Sequence, residues 1–352
     1  MAATRGKMTL DAIADMAGVS KSTVSRVLNG VPGISLKTIK KVDRVVREVG
    51  YVPKPLHNRQ GVRKPSNGAR RSRSVAFVQL EASNHMHGTY FARLISGVSQ
   101  ALSENGLNMV FVQIKKGDPF PPAIRDGKVD GLLLTGAHPD LKTLETLSNF
   151  PSVWLSSSFA AGGDVVLVGN DDVGFLAAEY LTAGHFDCLA YLNPLPAYGV
   201  YRNRCDAFER MANQRGVKNV IGLESAQETY IENIGLSGLV KLVEPLVEDL
   251  LEKKGARIGL FIPDDMITAA AYPVLRRHGF HLGKDVQVLS CGDEGAYLLG
   301  LDPIPVTIDL NPELQGRQAV EQLLWRIQNP SDKLSFQSKI TPEIIERKFS
   351  YI

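Results

Sequence analysis

The sequence predicts two parts of different fold class: an α-helical head with a helix-turn-helix, and an α/β body of two lobes whose parallel sheets are covered by helices. Helical spacing of apolar residues dominates the first 50 residues, whereas short apolar runs alternate with helical patterns from Val75 onward. The net charge changes sign at the same place, because residues 1–74 hold 16 Lys and Arg against 4 Asp and Glu, and the remainder is net acidic. We therefore expect a head at 1–52, a hinge and basic linker at 53–74, and a two-lobed body at 75–352.

The first predicted helix begins at Thr9, whose hydroxyl can accept a hydrogen bond from a free amide of the first turn. Its apolar stripe consists of Leu10, Ile13, Ala14 and Ala17. Gly18 ends it, because glycine enters the left-handed conformation at little cost.

The second predicted helix is capped by Ser20 and has one apolar and one polar face. Val24, Val27 and Leu28 point inward, whereas Ser22, Arg26 and Asn29 share the opposite face. Lys21 and Ser22 occupy the first turn, which is where recognition helices contact base edges in the major groove of DNA.

A third helix is predicted from Ser35 to Gly50. Its buried stripe is expected to be Ile39, Val42, Val46 and Val49, and its outer face is basic. An ordinary helical hairpin would show the same apolar pattern. The net charge of +12 in residues 1–74 favours nucleic acid as the partner, because phosphate contacts supply much of the affinity for DNA.

The run from Thr9 to Asn29, together with Gly50-Tyr51-Val52-Pro53, resembles the head of the LacI/GalR (lactose and galactose repressor) family. The resemblance implies that Lys21, Ser22 and Arg26 contact bases, and that Ser20, Thr23, Ser25 and Asn29 mostly hold phosphates. Arg26 suits a bidentate contact to guanine. Thr9 is included in the predicted DNA-binding set.

The hinge departs from the family pattern Pro-Asn-x-x-Ala-Arg-x-Leu, in which the leucine enters the minor groove. Here Leu56 and Asn58 are the hinge residues expected at the DNA, and Gln60 replaces the wedging leucine. Residues 61–74 contain five basic and no acidic residues. They form either an electrostatic tether along the DNA backbone or a solvated linker.

The body is predicted to contain strands separated by helices, which indicates parallel sheets in two lobes with a cleft between them. The expected strands are Val75 to Leu80, Asn108 to Ile114, Asp130 to Thr135, Ser152 to Leu155, Asp187 to Leu192, Lys218 to Ile221, Arg257 to Ile262 and Val286 to Ser290. Only a short helix is expected after Gly117-Asp-Pro-Phe-Pro-Pro122.

The resemblance continues through the body, for example at Lys128-Val-Asp-Gly-Leu-Leu-Leu134, Arg204-Cys-Asp-Ala-Phe208 and Pro263-Asp-Asp265. It implies a fold like the periplasmic binding proteins, with a small effector, expected to be a carbohydrate, at the carboxyl ends of the strands.

Five residues of the body are candidate effector contacts. Arg204 matches the family's clamping arginine, and Asp293 matches the acidic residue that accepts hydroxyls; a structural ion pair is the alternative for both. Tyr90 and Phe91 could supply an aromatic face, or could instead pack in the core. Asp171 could contact the effector or only cap its helix.

Other chemistry is not indicated. Cys188, Cys205 and Cys291 lack metal-ligand spacing, and their odd number is usual for a reduced, cytoplasmic protein. We expect no metal, no cofactor, no enzymatic activity and no membrane-spanning segment. The expected partners are a second copy of the chain and a pseudo-palindromic operator in double-stranded DNA. The alternatives are a sugar-binding protein with a vestigial head and an architectural DNA binder that acts by charge alone.

Overall fold

The computed structural model describes residues 10–28, 36–48, 72–80, 88–115, 117–137, 139–156, 163–218, 220–226 and 234–347. The chain divides into two compact units, Met1–Arg70 and Arg71–Ile352. The second unit begins ahead of Val75 because the Asp130 carboxylate accepts hydrogen bonds from the backbone amides of Ser72 and Arg73, at 3.0 and 2.9 Å.

Three helices make up the described part of the head: α1 (Leu10–Ala17), α2 (Lys21–Leu28) and α3 (Leu36–Glu48). Gly18 between α1 and α2 has a φ of 59°, as its place after the first helix predicts. The buried residues are Ile13, Ala14, Ala17, Val24, Val42 and Val45. On α3 the burial differs from the predicted stripe, because Val45 is buried while Ile39 and Val46 are only partly so. Val42 is buried as predicted, Val45 joins it on the inward side, and Val49 lies outside the described residues.

The body alternates strands and helices along the chain. In chain order these elements are β1 (Ser74–Leu80), α4 (Thr89–Glu104), β2 (Asn108–Ile114), α5 (Pro122–Arg125), β3 (Gly131–Gly136), α6 (Leu141–Leu147), β4 (Ser152–Ser156), β5 (Asp164–Val168), α7 (Asn170–Thr182), β6 (Cys188–Asn193), α8 (Gly199–Gln214), β7 (Val220–Glu224), α9 (Leu236–Leu250), β8 (Ile258–Phe261), α10 (Asp265–Arg277), β9 (Val286–Cys291), α11 (Gly295–Leu298), β10 (Val306–Asp309), α12 (Pro312–Gln328), β11 (Gln337–Ile340) and β12 (Glu343–Ile345). The short α5 agrees with the trimmed segment expected after residue 122.

Each lobe is built on one six-stranded sheet. The first has the order β11-β5-β4-β3-β1-β2 and the second the order β12-β10-β9-β8-β6-β7. All pairs are parallel except β10 with β12. These two parallel-dominated sheets with their helices confirm the predicted fold class.

Four strands of the structure are absent from the sequence prediction: β5, β10, β11 and β12. In β11 and β12 the cause is their sequence, since Gln337–Ile340 has a single apolar residue and Glu343–Ile345 is only three residues long. Both lie at sheet edges, where one neighbouring strand suffices and little apolar surface is buried.

The chain passes between the lobes at three places: from β5 to α7, from β10 to α12, and from β11 to β12. Helix α12 then packs on the first lobe, where Ala319, Val320 and Leu323 join the core of β1, β3 and β4. Helix α7 packs on the second lobe through a separate core.

Two helix pairs approach each other closely at glycines. An added Cβ at Gly97 of α4 would lie 2.2 Å from the carbonyl oxygen of Glu313 on α12, and one at Gly316 would lie 2.6 Å from the carbonyl oxygen of Leu94. In the second lobe, a Cβ at Gly174 of α7 would lie 2.3 Å from the carbonyl oxygen of Arg204 on α8. Each pair therefore needs glycine where its backbones meet.

Candidate functional site

The amino terminus of α2 carries a cluster of hydroxyl groups beside a lysine. The Ser20 hydroxyl accepts a hydrogen bond from the Thr23 amide at 3.1 Å, which caps the helix as the sequence predicts. The same hydroxyl lies 2.8 Å from both the Ser22 and the Thr23 hydroxyls. Lys21 and Ser22 are exposed. The structure therefore brings these four predicted DNA contacts to one helix end.

The remaining predicted DNA contacts are less fully described. Ser25 and Arg26 lie within α2. Thr9, Asn29, Leu56 and Asn58 lie outside the described residues.

Arg204 of α8 is the centre of a buried polar group at the carboxyl ends of the strands. Its Nε donates to Asn170 Oδ1 at 3.0 Å, and its Nη1 donates to the Pro263 carbonyl oxygen at 2.8 Å. These two partners follow β5 and β8, so they come from the ends of different sheets. Nη2 makes no hydrogen bond to any described residue, which leaves it available to a ligand.

Two tyrosines and an aspartate surround this arginine. The Tyr201 hydroxyl donates to Asp264 Oδ2 at 3.0 Å, and the Tyr198 ring lies edge-on to the Tyr201 ring with centroids 4.7 Å apart. Burial raises the pKa of both hydroxyls, so both remain protonated donors at neutral pH. Asp264 also caps α10 by accepting from the Met266 amide at 2.8 Å.

Asp293 lies in an ionic network of its own. Its φ is 54°, and its carboxylate is paired with Arg347. Arg93 Nη1 lies 3.9 Å away, but Arg93 is bidentate to Asp309 at 2.9 and 2.8 Å. Arg204 and Asp293 therefore have different hydrogen-bonding partners, and each belongs to a separate network.

One of the predicted effector contacts is buried in the core and another is exposed. The Phe91 side chain is 8% exposed in the first-lobe core, edge-on to Phe77 with centroids 5.9 Å apart. Asp171 is 61% exposed and lies 4.0 Å from Arg210. Phe91 therefore packs in the core, which is the alternative that the sequence analysis gives for it, and Asp171 is exposed in the first turn of α7.

The neighbours of these two residues face the polar cluster instead. Asn170, one residue before Asp171, is buried and contacts Arg204. Tyr90 contacts the cores of both lobes, and its hydroxyl donates to Gln315. Burial raises the pKa of Tyr90. The sequence signal for Asn170 is its place directly after an apolar run, at the start of a helix.

The sequence prediction also omits Asp265 and Glu294. Asp265 is 1% exposed; its Oδ2 accepts from the Glu294 amide at 2.6 Å, and its Oδ1 accepts from the Thr307 hydroxyl at 3.0 Å and from Ser290. Burial raises the pKa of Asp265 to about 7. Asp265 therefore fixes the loop between β9 and α11 that carries Asp293 and Glu294.

We predict that Asp265 makes the body less stable as the pH rises from about 4 to 7. Because its folded-state pKa of about 7 exceeds the ordinary carboxyl value, the folded protein holds a proton in this range that the unfolded chain has released. The stability is complete below about pH 4 and is lost as the pH rises through 7. From pH 5 to 7.5, urea unfolding should show wild type losing roughly 2–3 kcal/mol relative to Asp265→Asn.

The exposed Asp206→Asn variant is the control for this measurement, and its stability should follow the wild-type pH profile. Parallel profiles for wild type and Asp265→Asn would contradict the assignment.

One group in the described chain has the composition of a metal site. Ligand atoms of Glu244, Glu248 and His278 lie within 4.8 Å of one another. The Glu244 carboxylate is already bonded to Arg277 and lies 2.7 Å from His278 Nε2. We therefore interpret this group as an ion-pair network.

A cavity of about 380 Å³ lies at the amino ends of β4 and β5, beside the ion pair of Asp164 and Arg326. It is at the opposite strand ends from Arg204. In the part of the chain that is described, no helix has both the length and the apolar character needed to cross a bilayer.

Two family models match the chain. Residues 9–54 match bacterial regulatory proteins of the lacI family, and residues 178–348 match the periplasmic binding protein-like domain. The chain is 27% identical over 335 residues to the HTH-type transcriptional regulator CelR of Thermobifida fusca, with 92% of this chain and 93% of the relative covered. It is 26% identical over 356 residues to the HTH-type transcriptional repressor PurR of Haemophilus influenzae, with 97% and 98% covered.

Solved structures share the fold along nearly the whole chain. A complex of the transcriptional regulator CelR with cellobiose has a TM-score of 0.62 at 23% identity, and covers 97% of this chain and 99% of that chain. The lac repressor dimer bound to operator and the anti-inducer ONPF has a TM-score of 0.59 at 19% identity, with the same coverage.

Proposed function

The chain belongs to the LacI family of bacterial regulatory proteins, and on that premise we propose that it is a sequence-specific DNA-binding regulator of transcription, a repressor, controlled by a small ligand between the lobes of its body. The observation that carries the proposal is the presence in one chain of a helix-turn-helix head and a two-lobed body with a donor of Arg204 left open. The proposal assigns no catalytic reaction, since the relatives are named as regulators.

The ligand that fits the described side chains best is a carbohydrate. Arg204 Nη2 is available as a donor, and Asp264 and Asp293 offer carboxylate oxygens that can accept hydroxyl hydrogens. A sugar presents both functions on neighbouring hydroxyls. The CelR complex with cellobiose supports this class of ligand.

In the head, we propose that Lys21, Ser22 and Arg26 contact bases and that Ser20, Thr23 and Ser25 contact phosphates. One head presents one recognition helix, so affinity and specificity for a pseudo-palindromic operator require two copies of the chain. The lac repressor dimer on its operator supports a homodimer here. Because its target is chromosomal DNA, we place the protein in the cytoplasm.

The proposed mechanism is a two-state dimer in which ligand and operator favour different states of the body. The coupling is reciprocal, so a ligand that weakens operator binding is itself bound more weakly on the operator.

Replacing Arg26 with alanine is expected to lower specific operator affinity by ~1–3 kcal/mol and to relax the preference at one base pair. The physical reason is the loss of a bidentate guanidinium contact to guanine. Fluorescence anisotropy with the operator and with single-base variants measures both effects. As a control, Lys41→Ala removes the same charge from the exposed side of α3 and should change the affinity for all DNA sequences by the same factor. An unchanged base preference in Arg26→Ala would exclude base contact.

The test of the function as a whole is selection of sheared genomic DNA by the purified chain, with and without a pool of mono- and disaccharides. A shared palindrome whose recovery changes with a sugar is the expected result. Sequence-blind retention that disappears in moderate salt would instead indicate a sugar-binding protein with a non-specific head.

A further inference from the structure

We propose that Glu294 makes the effector cleft selective for uncharged, hydroxyl-rich ligands, by holding its carboxylate at the amino terminus of α4, where an acidic group of a ligand would otherwise bind. This rests on the proposed function, in which a carbohydrate effector lies between the lobes. It adds the charge class of that effector and the residue that selects it.

The contact joins the two lobes. Glu294 follows β9 of the second lobe, and its Oε2 accepts a hydrogen bond from the Thr89 amide at 3.2 Å, at the first residue of α4 in the first lobe. No side chain caps this helix from the N-cap residue, Gly88. A helix amino terminus favours negative charge and is a common binding place for anions. In this protein the Glu294 carboxylate supplies that negative charge.

Gly88 allows the carboxylate to approach. An added Cβ at Gly88 would lie 3.2 Å from Glu294 Oε2 and 3.4 Å from Oε1, which is closer than most such contacts. The carboxylate therefore lies over bare backbone at the helix end.

The main chain at Glu294 is held by a buried carboxylate. Its amide donates to Asp265 Oδ2 at 2.6 Å, and Asp265 is in turn held by the hydroxyls of Thr307 and Ser290. Gly292, two residues earlier, has a φ of 134°, a conformation that glycine adopts without strain. These bonds hold the main chain at Glu294, and the hydrogen bond from the Thr89 amide holds its carboxylate.

The surrounding charge has the same sign. Arg93 is neutralised by Asp309 and Glu313, and Arg347 is paired with Asp293. Asp264 lies near both Arg204 and Glu294, and burial together with the Asp264 charge raises the pKa of Glu294. Among the described residues of the cleft, carboxylates therefore outnumber arginines. An acidic group of a ligand at the end of α4 therefore meets the Glu294 carboxylate, whereas a hydroxyl there finds an acceptor.

The test compares neutral sugars with the uronic acids that differ from them only by CH₂OH replaced with COO⁻: glucose with glucuronate, galactose with galacturonate, and cellobiose with its uronic acid. Isothermal titration calorimetry measures the affinity of each sugar for the full-length wild type and for Glu294→Gln. The glutamine amide oxygen can still accept a hydrogen bond from the Thr89 amide. We expect wild type to bind the neutral member of a pair at least about tenfold more tightly, and Glu294→Gln to reduce that ratio by about tenfold.

Two variants separate charge from structure. Glu145→Gln removes an exposed carboxylate from α6 and should keep the wild-type ratio. Glu294→Asp keeps the charge near the cleft and should also favour the neutral sugar, even if its shorter side chain weakens binding of both members.

Equal binding of a neutral sugar and its uronic acid by wild type, or an unchanged ratio in Glu294→Gln, would overturn the role of Glu294 while leaving the carbohydrate effector in place. If neither series binds wild type or any variant, the carbohydrate effector itself is wrong, and the inference about Glu294 is wrong with it.

Discussion

Arg204→Ala is expected to abolish the response to the effector, with a loss of ligand affinity of about a hundredfold or more. The affinity for operator, measured in the absence of effector, should change little. The guanidinium is positioned before any ligand arrives, because Asn170 and the Pro263 carbonyl hold two of its nitrogens and leave Nη2 open. A ligand therefore gains a charged hydrogen bond without the entropy cost of ordering the side chain.

The same substitution lowers stability, since Asn170 Oδ1 and the Pro263 carbonyl oxygen each lose a buried donor at a cost of about 1–3 kcal/mol. Titration with the effector, operator anisotropy and urea unfolding are therefore measured together. Arg202→Ala, at an exposed position of the same helix, is the control and should leave all three unchanged. A folded Arg204→Ala protein with a normal effector response would remove Arg204 from the site.

Gly97→Ala is expected to destabilise the body by about 4 kcal/mol or more, beyond the usual cost of one extra methyl group in a core. The new methyl would lie 2.2 Å from the Glu313 carbonyl oxygen and 2.7 Å from the Glu313 Cα, so two backbones must separate and no rotamer change can relieve the overlap. Urea unfolding gives the loss directly.

The effect should also reach the cleft. Glu313 and Gln315 at the start of α12 hold Arg93 and Tyr90. A shift of α12 would move Glu313 and Gln315 away from Arg93 and Tyr90. Effector affinity is therefore expected to fall together with stability. Gly199→Ala is the matched control, because an added Cβ there meets no atom within 4 Å. If Gly97→Ala unfolds like Gly199→Ala, the helices do not need glycine at their crossing.

Patterns with a local cause were predictable from the sequence. The Ser20 cap, the Gly18 turn, the short α5 and eight of the body strands each depend on a few neighbouring residues. The apolar run Val165–Val168 also carries enough signal for β5, although the sequence prediction omits it. By contrast, β11 pairs with β5 across about 170 residues of chain, and nothing in Gln337–Ile340 specifies that partner.

The candidate site divides in the same way. Arg204 is predictable because the resemblance to the family covers the residues around it, but Asn170, Asp265 and Glu294 act through contacts with distant segments. Glu294 is 205 residues from Thr89, and only the folded chain brings them together. The phase of α7 decides that Asn170 and not Asp171 faces Arg204, and a shift of one residue lies below the precision of a sequence pattern.

The passage from β11 to β12 has a consequence for synthesis. Both sheets receive their last strand from residues 337–345, so neither lobe can be completed until the ribosome has made almost the whole described chain. During translation β5 and β10 each expose an unpaired edge, and such edges are templates for pairing with other chains. Nascent copies made on one messenger RNA are therefore at risk of exchanging these final strands. A premature stop after α12 would leave an unpaired strand edge in both lobes, so both lobes would be prone to aggregation and neither would be complete.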